Sequence, residues 1–113
     1  MPVTVVRYQT RPERADENQG LIEAVFADLA ARRPEGLRYV SFRLADGVSF
    51  VHVAAVDTAD GHNPLTDSPA FQAFTADIGA RCADPPQALA GAVVGAYGFP
   101  LTAPGATADG EVA

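Results

Sequence analysis

The sequence contains no lysine, and all eight of its basic residues are arginine. A lysine Schiff base, a lysine general base and the lysine of a phosphate-binding loop are therefore excluded. The chain also lacks the G-x-S-x-G, H-E-x-x-H and C-x-x-C motifs, and no G-x-G-x-x-G follows a strand. Any functional site must therefore be inferred from how side chains are arranged.

Cysteine occurs once, as Cys82, so the chain cannot form an internal disulfide. We interpret Cys82 as a small buried hydrophobic residue. Residues 1–6 carry neither the basic segment nor the apolar stretch and cleavage site of a secretion signal. Together these features predict a cytoplasmic protein.

No hydrophobic run approaches the roughly 20 residues that a membrane-spanning helix needs, so we expect no membrane association. A net charge of -6 repels phosphate backbones, and the arginines are scattered, which argues against a nucleic-acid partner. With 113 residues, 48% of them hydrophobic, the chain can form one modest core. We place that domain at residues 1–99 and a polar, proline-containing tail at residues 100–113.

Two patterns predict the first half of the fold. Residues 3–9 are rich in β-branched side chains and alternate with a period of two, which predicts a strand. Thr10 and Glu13 have the spacing of a capping box, with Pro12 in the first helical turn. Apolar residues then recur at helical spacing, and the predicted helix covers residues 12–32. Its apolar positions are Ile22, Val25, Phe26 and Leu29.

The second half begins with a hairpin, in which strands 37–44 and 48–56 flank the turn residues Asp46 and Gly47. Residues 57–67 are polar and aperiodic, which predicts a loop. Ser68 and Pro69 favour a helix start, and we expect that helix to continue through Cys82 to the prolines that follow Asp84. Residues 89–99 are predicted to form the last strand. The expected fold is α+β, ferredoxin-like (β-α-β-β-α-β), with a four-stranded antiparallel sheet.

A two-residue turn at Asp46 and Gly47 assigns the hairpin side chains to two faces. The more apolar face is one candidate for helix packing. It carries Val40, Phe42, Val51 and Val53. The other face mixes aromatic, hydroxyl, guanidinium and imidazole groups, and it either lines a ligand cavity or fills the seam between two subunits. Its side chains are Tyr39, Ser41, Arg43, Phe50 and His52.

His52 is the candidate acid, base or polar anchor, because its ordinary pKa lies near neutrality and it is predicted inside a strand. Ser41 faces it across the hairpin and is placed to orient the ring, and Tyr39, Ser41, Arg43 and Phe50 are the predicted substrate contacts. The structural alternative is a half-buried histidine that hydrogen-bonds a neighbour. The spacing of Asp57, Asp60 and His62 fits neither an EF-hand loop nor a paired-histidine zinc pattern, so we expect no metal site.

The element order, the segment Ser68–Phe74 after a polar loop, and the closing segment Val94–Phe99 together resemble the dimeric α/β-barrel superfamily, which includes the antibiotic biosynthesis monooxygenases. The resemblance covers residues 3–99. It implies a homodimer in which the four-stranded sheets pack together and each subunit holds a pocket between sheet and helices.

Relatives in this superfamily include quinone-forming oxygenases that need no cofactor and enzymes that degrade haem. The chain has no tryptophan and no histidine within its second helix, which argues against haem degradation. The resemblance implies a cofactor-independent monooxygenase-like enzyme, with no cofactor, acting on a small apolar, aromatic or polyketide-like molecule. The alternative is a non-catalytic dimeric module that binds a small ligand or simply associates.

Overall fold

The computed structural model describes residues 2–99. Four strands, β1 (Pro2–Thr10), β2 (Leu37–Arg43), β3 (Ser49–Val56) and β4 (Cys82–Ala92), form one antiparallel sheet in the order β2-β3-β1-β4. The helices are α1 (Ala15–Arg32), α2 (Pro69–Ala76) and α3 (Ile78–Arg81), and two 3₁₀ turns cover Pro12–Arg14 and Pro64–Asp67. This is the predicted α+β ferredoxin-like fold. The tail predicted at residues 100–113 lies outside the described residues.

The hairpin has the predicted register, since Ser41 pairs with His52 and Arg43 with Phe50. The turn is longer than predicted, because the Leu44 amide donates to the Ser49 carbonyl (2.8 Å) and leaves residues 45–48 as the connection. The Asp46 carboxylate closes it by accepting from the backbone amides of Val48 (3.0 Å) and Ser49 (2.8 Å). An aspartate that caps its own turn therefore fixes the register that orients β3.

Helix α1 packs through the predicted apolar stripe, with Ile22 and Val25 buried and Phe26 and Leu29 partly buried against the core. The predicted capping box does not form. Thr10 remains in β1, where its amide and hydroxyl both donate to the Val48 carbonyl, at 2.8 and 3.3 Å. A 3₁₀ turn with Arg11 at its cap position therefore starts the helical segment instead.

The second helix ends earlier than predicted. It breaks at Asp77, and α3 stops at Arg81, whose carbonyl accepts from the Arg11 amide (2.9 Å). Cys82 opens β4 by pairing with Thr10, and it is a buried free thiol as expected. The predicted strand at 89–99 therefore begins seven residues too late, because β4 runs over Cys82–Ala92 and residues 93–99 form no strand.

Two prolines lie inside β4, although proline is unusual within a β-strand. The strand occupies a sheet edge, and its register shifts between Arg7 and Gln9, so Pro85 and Pro86 lie opposite Tyr8. An edge strand with an irregular ladder tolerates residues that lack an N–H group. Sequence reasoning had treated these prolines as the stop signal of a helix.

The helices pack on the mixed face of the hairpin, which carries His52. Tyr8, Phe50 and His52 are buried in the core with Val25 of α1 and Phe74 of α2. The opposite face, which is the more apolar one in the hairpin but also carries exposed Arg7 opposite Val51, has no helix from residues 2–99 packed on it. The candidate assignment of helix packing to this face is therefore wrong. The face keeps large apolar side chains in contact with solvent, with Phe42 37%, Leu44 45% and Leu89 46% exposed. The mixed face can be buried because its polar groups bond one another, as described below.

None of the helices within residues 2–99 is long and apolar enough to cross a bilayer.

The turn into β2 makes Gly36 the most constrained glycine. Its φ is +77°, and a Cβ at this position would lie 2.6 Å from the Asp57 carbonyl oxygen. We expect Gly36→Ala to destabilise the chain by about 2 kcal/mol or more, because it adds a clash to left-handed backbone. Gly20→Ala is the control, since open space surrounds this helical glycine and the change should stabilise by about 0.5–1 kcal/mol. Urea unfolding of both variants measures the difference, and equal effects would contradict the strain.

Candidate functional site

His52 occupies the middle of β3, between β1 and β2, and only 4% of it is exposed. Its Nε2 lies 2.7 Å from the Tyr8 hydroxyl. Its Nδ1 lies 2.7 Å from the Ser41 hydroxyl and 2.9 Å from the Tyr39 hydroxyl. Both ring nitrogens therefore have hydrogen-bond partners supplied by the two neighbouring strands.

Aromatic rings enclose the imidazole. Tyr8 and Tyr39 stack on it with centroid distances of 5.4 and 5.9 Å, and Phe74 lies tilted against it at 5.4 Å. Phe50 extends the stack beyond Tyr8, at 5.6 Å. These rings exclude water from His52, while the hydroxyl groups at their tips satisfy its polar atoms.

A second layer of polar groups lies behind Tyr8. The Asn18 amide donates to the Tyr8 hydroxyl at 2.9 Å, and Arg81 Nε donates to Asn18 Oδ1 at 3.0 Å. Arg81 is fully buried, with Nη2 donating to the Phe74 carbonyl (2.7 Å) and the guanidinium 5.3 Å from the centre of the Phe74 ring. Its Nη1 has no partner within residues 2–99. A permanent charge is thus buried one side chain away from the imidazole.

Burial controls the protonation of these groups. Loss of solvation lowers the pKa of His52 to about 4, so the imidazole is neutral at pH 7. Burial raises the pKa of Tyr8 and of Tyr39 above the ordinary value of 10.0. The centre of the site is therefore an uncharged network of one imidazole and three hydroxyl groups.

A cavity of about 260 Å³ lies between this face of the sheet and the helices. Tyr39 and His52 contribute to its wall, and residues 2–99 supply no aspartate, glutamate or arginine to the lining. The remaining lining residues are Thr4, Val6, Tyr8, Ala54, Val56, Asn63, Leu65, Phe71, Phe74, Thr75, Ile78 and Pro86. An apolar cavity with a few convergent polar groups is typical of a small-molecule site.

The structure brings together some of the predicted site residues and separates others. Tyr39 and His52 line the cavity, and Ser41 reaches it only through the imidazole. Arg43 is exposed, and its guanidinium donates to Asp16 (3.0 Å) and Gln19 (2.7 Å) of α1. Phe50 is buried between Tyr8 and the Arg43 guanidinium. Direct substrate contact by Arg43 and Phe50 does not fit these positions.

Sequence reasoning missed Tyr8, Asn18, Phe74 and Arg81 as members of the site. One signal was available, because Asn18 precedes Ile22 by one helical turn and falls on the buried stripe of α1. A polar residue at a core-facing position needs a buried partner. The β1–β3 register that places Tyr8 beside His52 has no comparable local signal.

The loop before α2 has a mainly structural role. The Asn63 side chain accepts from the Leu65 amide (3.0 Å) and caps the second 3₁₀ turn, in a stretch that was predicted to be irregular. His62 pairs with Asp67 on the surface (2.8 Å). Within residues 2–99, no group of three or more histidine, cysteine or acidic side chains is arranged to hold a metal ion.

Comparison with known proteins identifies the fold. No family model and no curated protein matches the sequence. Solved structures do match: Rv0793 from Mycobacterium tuberculosis is 22% identical, with a TM-score of 0.66, and the match covers 87% of this chain and 100% of that one. A protein from Nitrosomonas europaea, named as a candidate antibiotic biosynthesis monooxygenase, is 16% identical with a TM-score of 0.69 and coverages of 83% and 99%.

A variant of SnoaB, a cofactor-independent oxygenase from Streptomyces nogalater, is also similar. It is 18% identical, with a TM-score of 0.62, over 84% of this chain and 94% of that one. The chain therefore has the fold of antibiotic biosynthesis monooxygenase-like domains, as the sequence resemblance predicted.

Acid should weaken the fold through His52. The folded-state pKa, about 4, lies below the ordinary value of 6.5, so the unfolded chain binds more protons between these limits. The contribution of neutral His52 to the free energy of unfolding is complete above pH 6.5. It is lost as the pH falls toward 4, by up to about 3 kcal/mol. We expect urea unfolding to show falling stability from pH 7 to pH 5, and a shallower fall in His52→Gln.

His62→Gln is the matched control for this experiment. Asp67 raises the pKa of His62, so the stability that His62 contributes is present below its unfolded pKa and is lost as the pH rises, opposite in sign to His52. The His62 variant should keep the loss of stability in acid. An unchanged slope in His52→Gln would contradict burial of a neutral imidazole.

Proposed function

We propose that this chain is a homodimeric enzyme that oxidises a small aromatic substrate with dioxygen and without a bound cofactor. The observation that carries the proposal is the cavity of about 260 Å³, with His52 and Tyr39 placed in an otherwise largely apolar wall. The fold likeness to a protein named as a cofactor-independent oxygenase supports the same reaction class.

The composition of the wall favours an aromatic ligand. Phe71 and Phe74 lie tilted to one another at 6.3 Å, and with Tyr39 they offer ring faces and edges for stacking. An ionised ligand would find no carboxylate or guanidinium in the lining to balance its charge, which makes an uncharged ring the better fit.

In the proposed role, Tyr39 holds the ligand oxygen and His52 holds Tyr39. Both His52 nitrogens already bond hydroxyl groups, and its low pKa makes it a weak base. Of the three roles considered from the sequence, acid, base or polar anchor, we therefore assign it the anchor. Among residues 2–99, His52 is also the only common metal ligand that lines the cavity, and both of its nitrogens already have hydrogen-bond partners, which supports chemistry without a metal.

The proposed reaction converts a phenol with a free para position and O₂ into a para-quinone and water. One oxygen atom becomes the new carbonyl oxygen. The other leaves as water, together with the hydroxyl hydrogen and the hydrogen of the oxidised ring carbon. The substrate is oxidised and dioxygen is reduced, so no other redox partner is needed.

The test uses 1-naphthol and an oxygen electrode, with 1,4-naphthoquinone measured by mass spectrometry under ¹⁸O₂. We expect protein-dependent oxygen uptake that matches quinone formation, and one labelled oxygen in the product. Tyr39→Phe should lower kcat/KM about tenfold or more, because it removes the hydroxyl that holds the ligand. Tyr97→Phe makes the same chemical change at a 98% exposed residue and is the matched control.

The alternative, a non-catalytic binding module, predicts saturable binding of 1-naphthol with no oxygen uptake above the buffer rate. That result would overturn the enzymatic proposal. Equal losses in the Tyr39 and Tyr97 variants would overturn the role of Tyr39.

We also propose that the helix-free face of the sheet joins two copies of the chain. Phe42, Leu44 and Leu89 are exposed there beside half-buried valines, with exposed Arg7 on the same face. Several large apolar side chains exposed on one face are typical of an interaction surface. The superfamily that the chain resembles pairs its sheets in this way.

Light scattering at micromolar concentration tests the pairing. The unaltered chain should have the mass of two chains, and Phe42→Arg should shift it toward one because a charge cannot be buried unpaired at the interface. Ala27→Arg, on the exposed side of α1, should not change the mass. A single-chain mass for the unaltered protein would contradict the proposal.

A further inference from the structure

We propose that Arg81 and Asn18 are positioning residues which, through Tyr8, fix His52 as the tautomer with hydrogen on Nδ1 and so direct the Tyr39 hydroxyl hydrogen into the cavity. The effect of this tautomer on ligand selection rests on the proposed function. The tautomer itself does not depend on any ligand.

The first step is the orientation of the Asn18 amide. A guanidinium group carries only donors, so the Asn18 atom 3.0 Å from Arg81 Nε must be the acceptor, Oδ1. The amide nitrogen then faces the Tyr8 hydroxyl at 2.9 Å. The guanidinium group offers no acceptor, so the opposite orientation of the Asn18 amide would place two donors against each other.

The second step concerns the Tyr8 hydroxyl. The Asn18 amide nitrogen can only donate, so the Tyr8 oxygen accepts that bond. Its own hydrogen needs a different acceptor, and His52 Nε2 at 2.7 Å is the one that the described residues provide. Nε2 is therefore the unprotonated nitrogen of the ring.

The third step follows from the neutral imidazole. With Nε2 unprotonated, the single ring hydrogen lies on Nδ1 and points to the hydroxyl oxygens of Ser41 (2.7 Å) and Tyr39 (2.9 Å). Neither hydroxyl can donate back to Nδ1. Ser41 also hydrogen-bonds Tyr39, and a bond that Ser41 donates leaves the Tyr39 hydrogen available to a ligand. In this arrangement the cavity presents a donor at this point.

The buried guanidinium of Arg81 fixes the donor-to-acceptor direction of the hydrogen bonds that lead to His52. Arg81 is fully buried, and its recorded bonds within residues 2–99 go to an amide and a carbonyl oxygen. A buried charge without a carboxylate partner is costly, so its interaction with the Asn18 carbonyl resists reversal. Hydrogen bonds in such a series also polarise one another, which strengthens the donor at the far end.

The cavity should therefore select ligands with an acceptor oxygen, such as a ring carbonyl or hydroxyl. Reversing the bonds would reverse this preference. Asn18→Asp provides the reversal, because a carboxylate accepts from both Arg81 and the Tyr8 hydroxyl, and Tyr8 then accepts from His52 Nε2.

The first experiment reads the tautomer directly by long-range ¹H–¹⁵N correlation NMR at pH 7, with exposed His62 as the internal reference. His52 should be the Nδ1–H tautomer in the unaltered protein and the Nε2–H tautomer in Asn18→Asp. An Nε2–H tautomer in the unaltered protein overturns the proposal without any variant. The same tautomer in both proteins also overturns it.

The second experiment uses two probes, acetophenone, which only accepts, and phenol, which also donates. It is performed in a Ser41→Ala background, where Tyr39 is the one hydroxyl left beside Nδ1. Adding Asn18→Asp should raise the Kd of acetophenone about tenfold and leave that of phenol within about twofold, as expected for one lost hydrogen bond.

These outcomes separate the two proposals. If the tautomer reverses but neither probe binds, the ligand site fails and the positioning role stands. If both probes bind but the tautomer does not reverse, the positioning role fails. Equal loss of both probes would overturn the selection of acceptor oxygens.

Discussion

The site depends on one requirement: an imidazole buried in a sheet needs hydrogen bonds at both nitrogens. His52 meets it with hydroxyl groups from the strands on either side, Tyr8 of β1 and Tyr39 and Ser41 of β2. Each tyrosine also contributes a ring to the core, so the same side chains supply apolar packing and polar partners. Because the tyrosines provide both ring packing and hydrogen bonds, the face of the sheet that carries His52 can be buried.

The packing of the helices on the His52 face explains the rest of the architecture. Once the aromatic and imidazole groups lie beneath the helices, the valines and Phe42 on the other side of β2 and β3 have no helix to cover them. The cavity and the exposed apolar surface are thus two consequences of the same strand orientation. The proposed ligand site lies on one side of the sheet, and the proposed contact between two copies lies on the other.

Local signals in the sequence predicted the element order, the hairpin register and the stripe on α1. Asp46 and Gly47 were sufficient to pair Ser41 with His52. The same signals could not predict which hairpin face the helices cover, because apolar content favoured the wrong one. They also failed at Asp77, where the helix breaks, and at Cys82, where pairing with Thr10 across the sheet overrides a helical pattern. Arg81 has no signal in the sequence, since its partners come from α1 and from the end of α2.

The two prolines in β4 have a consequence for how copies of this chain can aggregate. An edge strand with free N–H and C=O groups is a template on which further strands can add without limit. Pro85 and Pro86 remove two successive amide donors from β4, at the point where its ladder is already irregular. Because successive N–H groups alternate in direction along a strand, regular geometry would place one of the two at the open edge. Growth of a continuous sheet through this edge is thereby interrupted. The pairing proposed for the sheet face differs, because a symmetric contact closes on itself and the assembly stays finite.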